Sequence, residues 1–120
     1  MPNILVIDDE IDVRCFFKDI LEDHGFNVLE ASTGREGLDL IKSPNDIDAV
    51  ITDIIMPEMN GVDMIKAIRN FNKRLPLIAV SGFEGELDHA RRSGANVIFT
   101  KPPKMDEIIE FLKYIKEQTA

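Results

Sequence analysis

Short apolar runs alternate with longer amphipathic stretches along the chain. The runs cover residues 4–7, 26–29, 49–51, 77–80 and 97–99. The first and fourth runs are continuous and each is followed by a polar residue, Asp8 and Ser81. Such runs are typical of strands that are covered on both faces in a parallel sheet. The pattern therefore predicts five strands.

Helical periodicity follows each of these runs. In the first helix, apolar residues recur at the spacing of one helix face, and Gly25 supplies a stop. The second helix is predicted to end near Ser43 and Pro44. The apolar positions predicted to face the core are Val13, Phe16, Phe17, Ile20 and Leu21, then Gly37, Leu38, Leu40 and Ile41, then Val62, Ile65, Ile68 and Phe71, then Leu87 and Ala90, and finally Met105, Ile108, Ile109, Leu112 and Ile115.

Strand and helix thus alternate five times, which predicts one domain over residues 1–120. Right-handed crossovers would give a doubly wound parallel sheet with helices on both faces, that is, a three-layer (βα)5 sandwich. We expect five strands in the order 2-1-3-4-5, which is the order of flavodoxin-like folds. Such sheets hold their sites at the carboxyl ends of the strands, where the strand order reverses. The predicted site therefore lies between strands 1 and 3.

Composition narrows the classes of function. With 120 residues, the chain is long enough to bury a core without disulfides, and Cys15 is its single cysteine. We expect Cys15 to be a partly exposed bystander because it lies off the apolar stripe of the first helix. The net charge of −8 argues against binding to nucleic acid. Neither a signal peptide nor a membrane span is visible, so a soluble cytoplasmic protein is expected.

Polar residues with matched chemistry follow four of the five predicted strands. Asp8 and Asp9 follow strand 1, Asp53 strand 3, Ser81 strand 4 and Lys101 strand 5. Close carboxylates repel one another, and a hard divalent cation such as Mg²⁺ would relieve that repulsion. Aspartate can attack phosphorus, a lysine can pair with a phosphoryl group, and a serine hydroxyl can donate to its oxygen. This edge is therefore predicted to accept a phosphoryl group.

Each residue also has a structural interpretation. Asp8 and Asp9 could cap the first helix, and Asp53 and Ser81 could be turn residues. Lys101 could be a solvated loop lysine. These interpretations weaken together, because the residues fall in order at the ends of four different strands.

The sequence resembles the receiver domain of two-component response regulators over essentially its whole length. The matching segments are Ile4-Leu-Val-Ile-Asp8-Asp9-Glu10, Asp53-Ile-Ile-Met-Pro57 with Gly61 following, Ser81-Gly82, Gly94-Ala95 and Lys101-Pro102. The acid pair or the lysine alone would be a weak signal. All of them in order, at closely matching spacing, are highly specific.

The resemblance implies a role for each matching residue. Asp53 would be the phosphoacceptor, and Asp9 and Asp53 would bind Mg²⁺ together with the backbone carbonyl of Ile55. Asp8 would act largely through a metal-bound water. Ser81 and Lys101 would contact the phosphoryl group, and the peptide before Pro102 would be cis.

The resemblance also implies partners. A sensor histidine kinase or a phosphotransfer protein would donate the phosphoryl group, and a downstream protein or output domain would read the switch. Homodimerisation is left open. The chain would not be an enzyme acting on a separate substrate, although it would assist its own phosphoryl transfer and dephosphorylation.

Two alternatives belong to other classes. An aspartyl phosphohydrolase typically carries a second aspartate two residues after the nucleophile, but that position is Ile55 here. A degenerate receiver that only binds proteins would not need the intact set of acids, hydroxyl and lysine.

Three departures from the family pattern concern the switch. Ile98 stands where an aromatic residue is common, and Phe99 should face the opposite side of the sheet. Pro103 replaces a common hydrophobic residue and could open the fifth helix. The fourth helix, between Ser81 and Gly94, is expected to be short.

Two further pairs of residues carry expectations. Ile55 and Phe83 lie two residues after the acceptor and the hydroxyl, at positions that influence in the family how water reaches the phosphoryl group. Because neither apolar side chain can orient an attacking water, slow self-dephosphorylation is predicted. Phe111 and Tyr114 lie off the main stripe of the fifth helix. They are either part of a surface that reads out the switch or ordinary, partly buried aromatic residues.

Overall fold

The computed structural model describes residues 2–43, 46–56 and 61–119. Strands and helices alternate strictly along the chain. The strands are β1 (Asn3–Ile7), β2 (Asn27–Ala31), β3 (Ala49–Asp53), β4 (Leu77–Ser81) and β5 (Val97–Thr100). The helices are α1 (Ile11–Asp23), α2 (Gly34–Lys42), α3 (Gly61–Phe71), α4 (Glu84–Ser93) and α5 (Met105–Thr119).

All five strands are parallel and lie in the order β2-β1-β3-β4-β5, as predicted. β1 lies between β2 and β3, and Ile7 at its end pairs with Ala31 of β2 and Thr52 of β3. The ends of β1 and β3 therefore meet where the strand order reverses. This register brings the residues after β1 next to Asp53 at one edge of the sheet.

The two faces of the sheet carry two separate hydrophobic clusters, which explains the continuous apolar strands. Leu5 and Ile7 of β1 pack in a cluster with α2, α3 and α4. Ile4 and Val6 alternate with them and pack in a cluster with α1 and α5. Because successive side chains of a strand point to opposite faces, a strand between two helical layers needs apolar residues at every position. The molecule is thus the predicted three-layer sandwich.

The helix ends follow local signals. Gly25 has a φ of +87°, and its N–H donates to the Glu22 carbonyl, so the predicted stop of α1 is confirmed. Thr33 caps α2, because its hydroxyl accepts a hydrogen bond from the N–H of Glu36 at 3.1 Å. The helix ends at Lys42, and Pro44 lies outside the described residues.

Several predictions of burial were wrong. Phe16 is 49% exposed and Phe71 is 53% exposed, although both were placed on apolar stripes. Phe16 lies at the margin of the face of α1, where Phe17 is the buried member of the pair. Phe71 is the last residue of α3, and the buried residues of that helix end at Ile68. β2 also begins at Asn27, although Phe26 before it is buried.

The three departures from the family pattern concern β5, α4 and the start of α5. Ile98 packs with the α2–α4 cluster and Phe99 with the α1–α5 cluster, so their opposite orientations are confirmed. α4 spans 10 residues. Pro103 does not open α5, since the helix begins at Met105 and the Lys104 carbonyl accepts its first hydrogen bonds.

The residues that lie off the apolar stripes of α1 and α5 differ in exposure. Cys15 is exposed, as expected. Phe111 is half-buried against the α1–α5 cluster, which favours the ordinary aromatic interpretation, whereas Tyr114 is 59% exposed.

Among the residues that the structure describes, no helix is long and apolar enough to cross a membrane.

Candidate functional site

The acidic pair after β1 is fixed by its backbone. The Asp8 N–H continues the sheet by donating to the Ala31 carbonyl at 3.1 Å. The Asp8 Oδ1 atom accepts a hydrogen bond from the Glu10 N–H at 2.9 Å. Asp8 is buried and Asp9 is exposed. The pair therefore offers one carboxylate from the interior and one from solvent.

Asp53 is the last residue of β3 and is buried. Its Oδ1 atom accepts a hydrogen bond from the Ile55 N–H at 3.3 Å. The Ile54 N–H continues the sheet by donating to the Val80 carbonyl at 3.2 Å. Strand pairing thus holds the backbone around Asp53, and the carboxylate is directed to the edge of the sheet beside β1.

The three aspartates converge into one group. Asp8, Asp9 and Asp53 each offer a carboxylate oxygen, and these three oxygens lie within 4.8 Å of one another. Three hard oxygen donors at such a separation suit Mg²⁺, which takes one or two carboxylates and keeps its other positions for water or phosphate oxygens. The donor set therefore fits a divalent cation.

Lys101 supplies a positive charge to the same group. Its Nζ atom donates to Asp53 Oδ2 at 3.0 Å and lies 3.7 Å from Asp8 Oδ2. Burial alone would lower the pKa of Lys101. The hydrogen bond to Asp53 and the charges of Asp53 and Asp8 outweigh burial and raise the pKa above its ordinary value. Lys101 is thus a firmly charged partner of the acidic site.

The ionised form of Asp8 is disfavoured in the folded protein despite this lysine. Burial is the largest influence and raises the pKa of its carboxyl group, and the charge of Asp53 adds to the increase. The hydrogen bond from Glu10 and the charge of Lys101 act in the opposite direction but do not compensate. The pKa of Asp8 is therefore raised, whereas that of Lys101 reflects a gain from pairing. Both pKa shifts indicate that the negative charge of the carboxylates at this site is larger than the positive charge near them.

Ser81 is the last residue of β4 and is buried. Its Oγ atom accepts a hydrogen bond from the Phe83 N–H at 3.1 Å, so the proposed turn role is real. A hydroxyl that accepts still has a proton to donate. The Ser81 carbonyl accepts from the Lys101 N–H at 2.9 Å, which ties the hydroxyl-bearing and lysine-bearing strand ends together.

Ile55 lies at the rim of this site. It is 49% exposed, and its N–H donates to Asp53 Oδ1 at 3.3 Å, so the residue whose carbonyl is predicted to bind Mg²⁺ lies next to Asp53. The peptide between Lys101 and Pro102 is cis, as predicted. Pro57, the last residue of the motif that begins at Asp53, lies outside the described residues.

The structural alternatives are now weaker. The N-cap residue of α1 is Glu10, so the interpretation of Asp8 and Asp9 as helix caps is wrong. Lys101 is paired with two carboxylates, so it is not a simple solvated lysine. Asp53 does accept a turn hydrogen bond from Ile55, but its other oxygen faces Lys101.

Sequence reasoning missed Arg14 and Glu30. The Arg14 Nη1 atom donates to the Asp8 carbonyl at 2.7 Å, and its Nε atom donates to Glu30 Oε1 at 3.3 Å. No local pattern marks this pair, because Glu30 lies on a strand and Arg14 lies 16 positions earlier on a helix.

Comparison with known proteins identifies the family. The sequence profile described as "Response regulator receiver domain" matches residues 4–113. The chain belongs to this family, that is, to the receiver domains of two-component response regulators.

Curated relatives carry the same domain within longer chains. The transcriptional regulatory protein CpxR of Escherichia coli K12 is 33% identical over 96% of this chain and 49% of its own length. The response regulator SaeR of Staphylococcus aureus is 32% identical over 91% of this chain and 48% of its own length. This chain therefore spans about half the length of these relatives.

Solved structures agree with the fold. The receiver domain of the Francisella response regulator 1452 superposes with a TM-score of 0.91 and 30% identity, and each chain is covered completely. The response regulator TrrA of Thermotoga maritima, in complex with Mg(2+)-BeF, has a TM-score of 0.87 and 30% identity. That match covers 96% of this chain and 99% of TrrA.

Proposed function

We propose that this receiver domain accepts a phosphoryl group on Asp53 and acts as a phosphorylation-controlled switch. The observation that carries the proposal is the contact of Lys101 Nζ with Asp53 Oδ2, beside a group of three carboxylates. This arrangement joins a nucleophile, a cation site and a fixed positive charge within one edge of the sheet.

In the proposed transfer, a carboxylate oxygen of Asp53 attacks the phosphorus of a phosphohistidine or of a small acyl phosphate. A P–O bond forms to Asp53 as the bond to the leaving imidazole nitrogen or acyl oxygen breaks. The imidazole nitrogen takes up a proton from water, whereas the acyl group leaves as its carboxylate and needs no proton. Lys101 would stay near Asp53 and pair with the transferred phosphoryl oxygens. Ser81 would donate its hydroxyl proton to one of them.

Asp8, Asp9, Asp53 and the Ile55 carbonyl would hold Mg²⁺. When bound, Mg²⁺ would offset the negative charge on the phosphoryl oxygens and on the carboxylates. The Mg(2+)-BeF complex of TrrA supports this assignment by similarity. The resemblance to the family implies that Asp8 would act largely through a metal-bound water, and Lys101 lies 3.7 Å from Asp8 Oδ2.

The proposed donor is a sensor histidine kinase or a phosphotransfer protein. The names of the relatives support this class of partner, since one of them is the "Sensor histidine kinase CheAY" of Helicobacter pylori, 38% identical over 82% of this chain. Downstream, a separate protein or an output domain would read the switch. The acidic charge of −8 argues against direct contact with nucleic acid. The proposed location is the cytoplasm.

The proposed activity is not that of an enzyme on a separate substrate. The position two residues after Asp53 is Ile55, which has no acid to protonate a leaving alcohol. The domain would act only on its own aspartyl phosphate. Repeated turnover of a small phosphate ester would instead favour a phosphohydrolase.

The test is incubation with Mg²⁺ and acetyl phosphate, followed by intact-mass measurement. We expect one added phosphoryl group on the wild type, none on Asp53→Asn and none after chelation of Mg²⁺. Asp39→Asn, which removes one exposed carboxylate from α2, is the matched control and should be modified normally. If neither acetyl phosphate nor a panel of histidine kinases modifies the wild type, or if Asp53→Asn is still modified, the proposal is wrong.

A further inference from the structure

The Arg14 side chain joins three elements beneath the acidic site. It extends from the first turns of α1, and only 14% of it is exposed. Nη1 donates to the Asp8 carbonyl at the end of β1, and Nε donates to Glu30 of β2. Lys18, one turn later on α1, lies 3.7 Å from the other Glu30 oxygen. Glu30 therefore pairs with two basic side chains, Arg14 and Lys18. Of these two, only Arg14 also contacts the acidic segment, residues 8–10.

The Arg14 side chain contacts the backbone immediately before Asp9, because its guanidinium donates to the Asp8 carbonyl at 2.7 Å. The backbone N–H of Arg14 donates to the Glu10 carbonyl at 3.2 Å, which is an ordinary helical bond that any residue at this position would make. Asp9 itself is exposed, so packing around its side chain does little to orient it. The direction of the Asp9 carboxylate depends on the backbone that Arg14 holds.

We propose that Arg14, oriented by Glu30, is a positioning residue for the divalent cation site. It fixes the backbone from Asp8 to Glu10, so that the Asp8 and Asp9 carboxylates converge with that of Asp53. The inference rests on the proposed function, because it concerns the Mg²⁺ that Asp53 uses. Partners that orient metal ligands from outside the coordination shell typically change metal affinity about 10–100-fold when they are removed.

Electrostatics provides a test by the sign of the effect. A guanidinium near a cation site repels Mg²⁺, so loss of its charge alone would tighten binding. Loss of positioning would weaken binding, because the carboxylates would no longer be held together. The two explanations therefore predict opposite results for Arg14→Ala. Lys18→Ala removes an equal charge from the same Glu30 without touching Asp8, which makes it the matched control.

The experiment is calorimetric titration of Mg²⁺ into the unphosphorylated full chain, with thermal unfolding in chelator recorded for each variant. We expect about tenfold weaker Mg²⁺ binding for Arg14→Ala. Arg14→Lys should recover part of the loss, since an ammonium can donate to the Asp8 carbonyl but cannot also hold Glu30 with a planar fork. Glu30→Gln should weaken binding several-fold, and Lys18→Ala should not weaken it.

The outcomes are distinct. Unchanged or tighter Mg²⁺ binding by Arg14→Ala, with a folded protein, overturns the inference and leaves the proposed function standing. Failure of the wild type to bind Mg²⁺ overturns both. If Arg14→Ala does not fold, Arg14→Lys decides the question because it keeps the charge, and wild-type affinity in that variant overturns the inference. Equal weakening by Lys18→Ala also overturns it, because the effect would then belong to Glu30 alone.

Discussion

The ammonium of Lys101 contacts the carboxylate of Asp53 at 3.0 Å, across the ends of β5 and β3. Because the two strands are separated by β4, only the folded sheet brings these side chains together. The contact places a fixed cation where a second one, Mg²⁺, is proposed to bind. We therefore expect Lys101 and Mg²⁺ to compete for the carboxylates of this site.

Replacement of Lys101 with Met should tighten Mg²⁺ binding to the unphosphorylated protein. The variant removes a charge that already partly neutralises Asp8 and Asp53, so the carboxylates attract the metal more strongly. Since about a third of the lysine is exposed, screening limits the effect to about 1 kcal/mol, or about fivefold. Calorimetric titration measures the change.

The same variant should take up phosphate more slowly from acetyl phosphate, because the transferred group loses its cationic partner. Lys104→Met changes an exposed lysine nearby and is the control for charge. Weaker Mg²⁺ binding by Lys101→Met would contradict the competition argument.

Replacement of Asp8 with Asn should stabilise the metal-free protein at neutral pH. The pKa of Asp8 is raised above its ordinary value of 3.8, so the native state binds its proton more tightly than the unfolded chain does. The free energy of unfolding then falls as pH rises from that ordinary value through the raised pKa, and the loss persists at neutral pH. We expect a gain of about 1 kcal/mol for Asp8→Asn by urea unfolding at pH 7, a typical single-site magnitude.

This gain should shrink as the pH approaches the ordinary pKa of aspartate, where the wild-type carboxyl is protonated in both states. Saturating Mg²⁺ should also reduce it, because the metal stabilises the wild type by binding its native state. Asp9→Asn removes an exposed carboxylate and should give a smaller gain. Destabilisation by Asp8→Asn at pH 7 in chelator would refute the prediction.

Self-dephosphorylation should be slow. Ile55 and Phe83 are 49% and 64% exposed and line the same cleft beside the site. Neither side chain can orient an attacking water. Ile55→Gln introduces a hydrogen-bonding group at the same place, and we expect it to shorten the phosphorylated lifetime about tenfold, which is less than the roughly 10²–10⁴-fold that a well-positioned general acid or base contributes.

The lifetime is measured by intact mass after the phosphodonor is removed. Ile55→Leu is the apolar control. Glu84 lines the same cleft, so Glu84→Gln tests whether that carboxylate orients water, and we expect no change. A wild-type lifetime of only seconds at neutral pH would rule out slow hydrolysis.

Gly61 should not tolerate a side chain. A Cβ atom there would lie 2.6 Å from the Ile54 Cα and 2.7 Å from the Asp53 carbonyl oxygen, which are backbone atoms that cannot rotate away. We expect Gly61→Ala to destabilise the protein by about 2 kcal/mol and to slow phosphorylation, because the backbone after β3 must shift. Urea unfolding and intact mass measure the two effects.

Gly85 is the matched control, because a Cβ there would meet nothing within 4 Å. It lies in the first turn of α4, so Gly85→Ala should stabilise the protein by about 0.5–1 kcal/mol. If both variants behave alike, the close approach of Gly61 to β3 is not what limits that position.

Most of the site could be predicted because strand ends can be read from sequence. A continuous apolar run such as residues 4–7 predicts a strand buried on both faces, and the next polar residue then marks its end. In a parallel sheet all carboxyl ends share one edge, so Asp8, Asp53 and Lys101 were expected to be neighbours. The family resemblance supplied their roles.

The errors have physical causes of a different kind. Helical periodicity marks an apolar face but not its width, so Phe16 at the margin of α1 was wrongly placed in the core. Phe71 follows the period of α3 but is its last residue, and the buried residues of the helix end at Ile68. Pro103 fits a first helical turn, yet α5 starts after Lys104.

The sequence by itself determined the strand order, the three-layer packing and the residues that gather at the edge around Asp53. The packing follows from local hydrophobic periods and from the handedness of crossovers, which do not depend on particular long-range contacts, and the strand order agrees with the resemblance to receiver domains. Only the tertiary structure decided that Lys101 pairs with two carboxylates, that burial raises the pKa of Asp8, and that Arg14 and Glu30 hold the acidic segment. Those features depend on distances between side chains on separate elements, and such distances exist only once the helices have packed on the sheet.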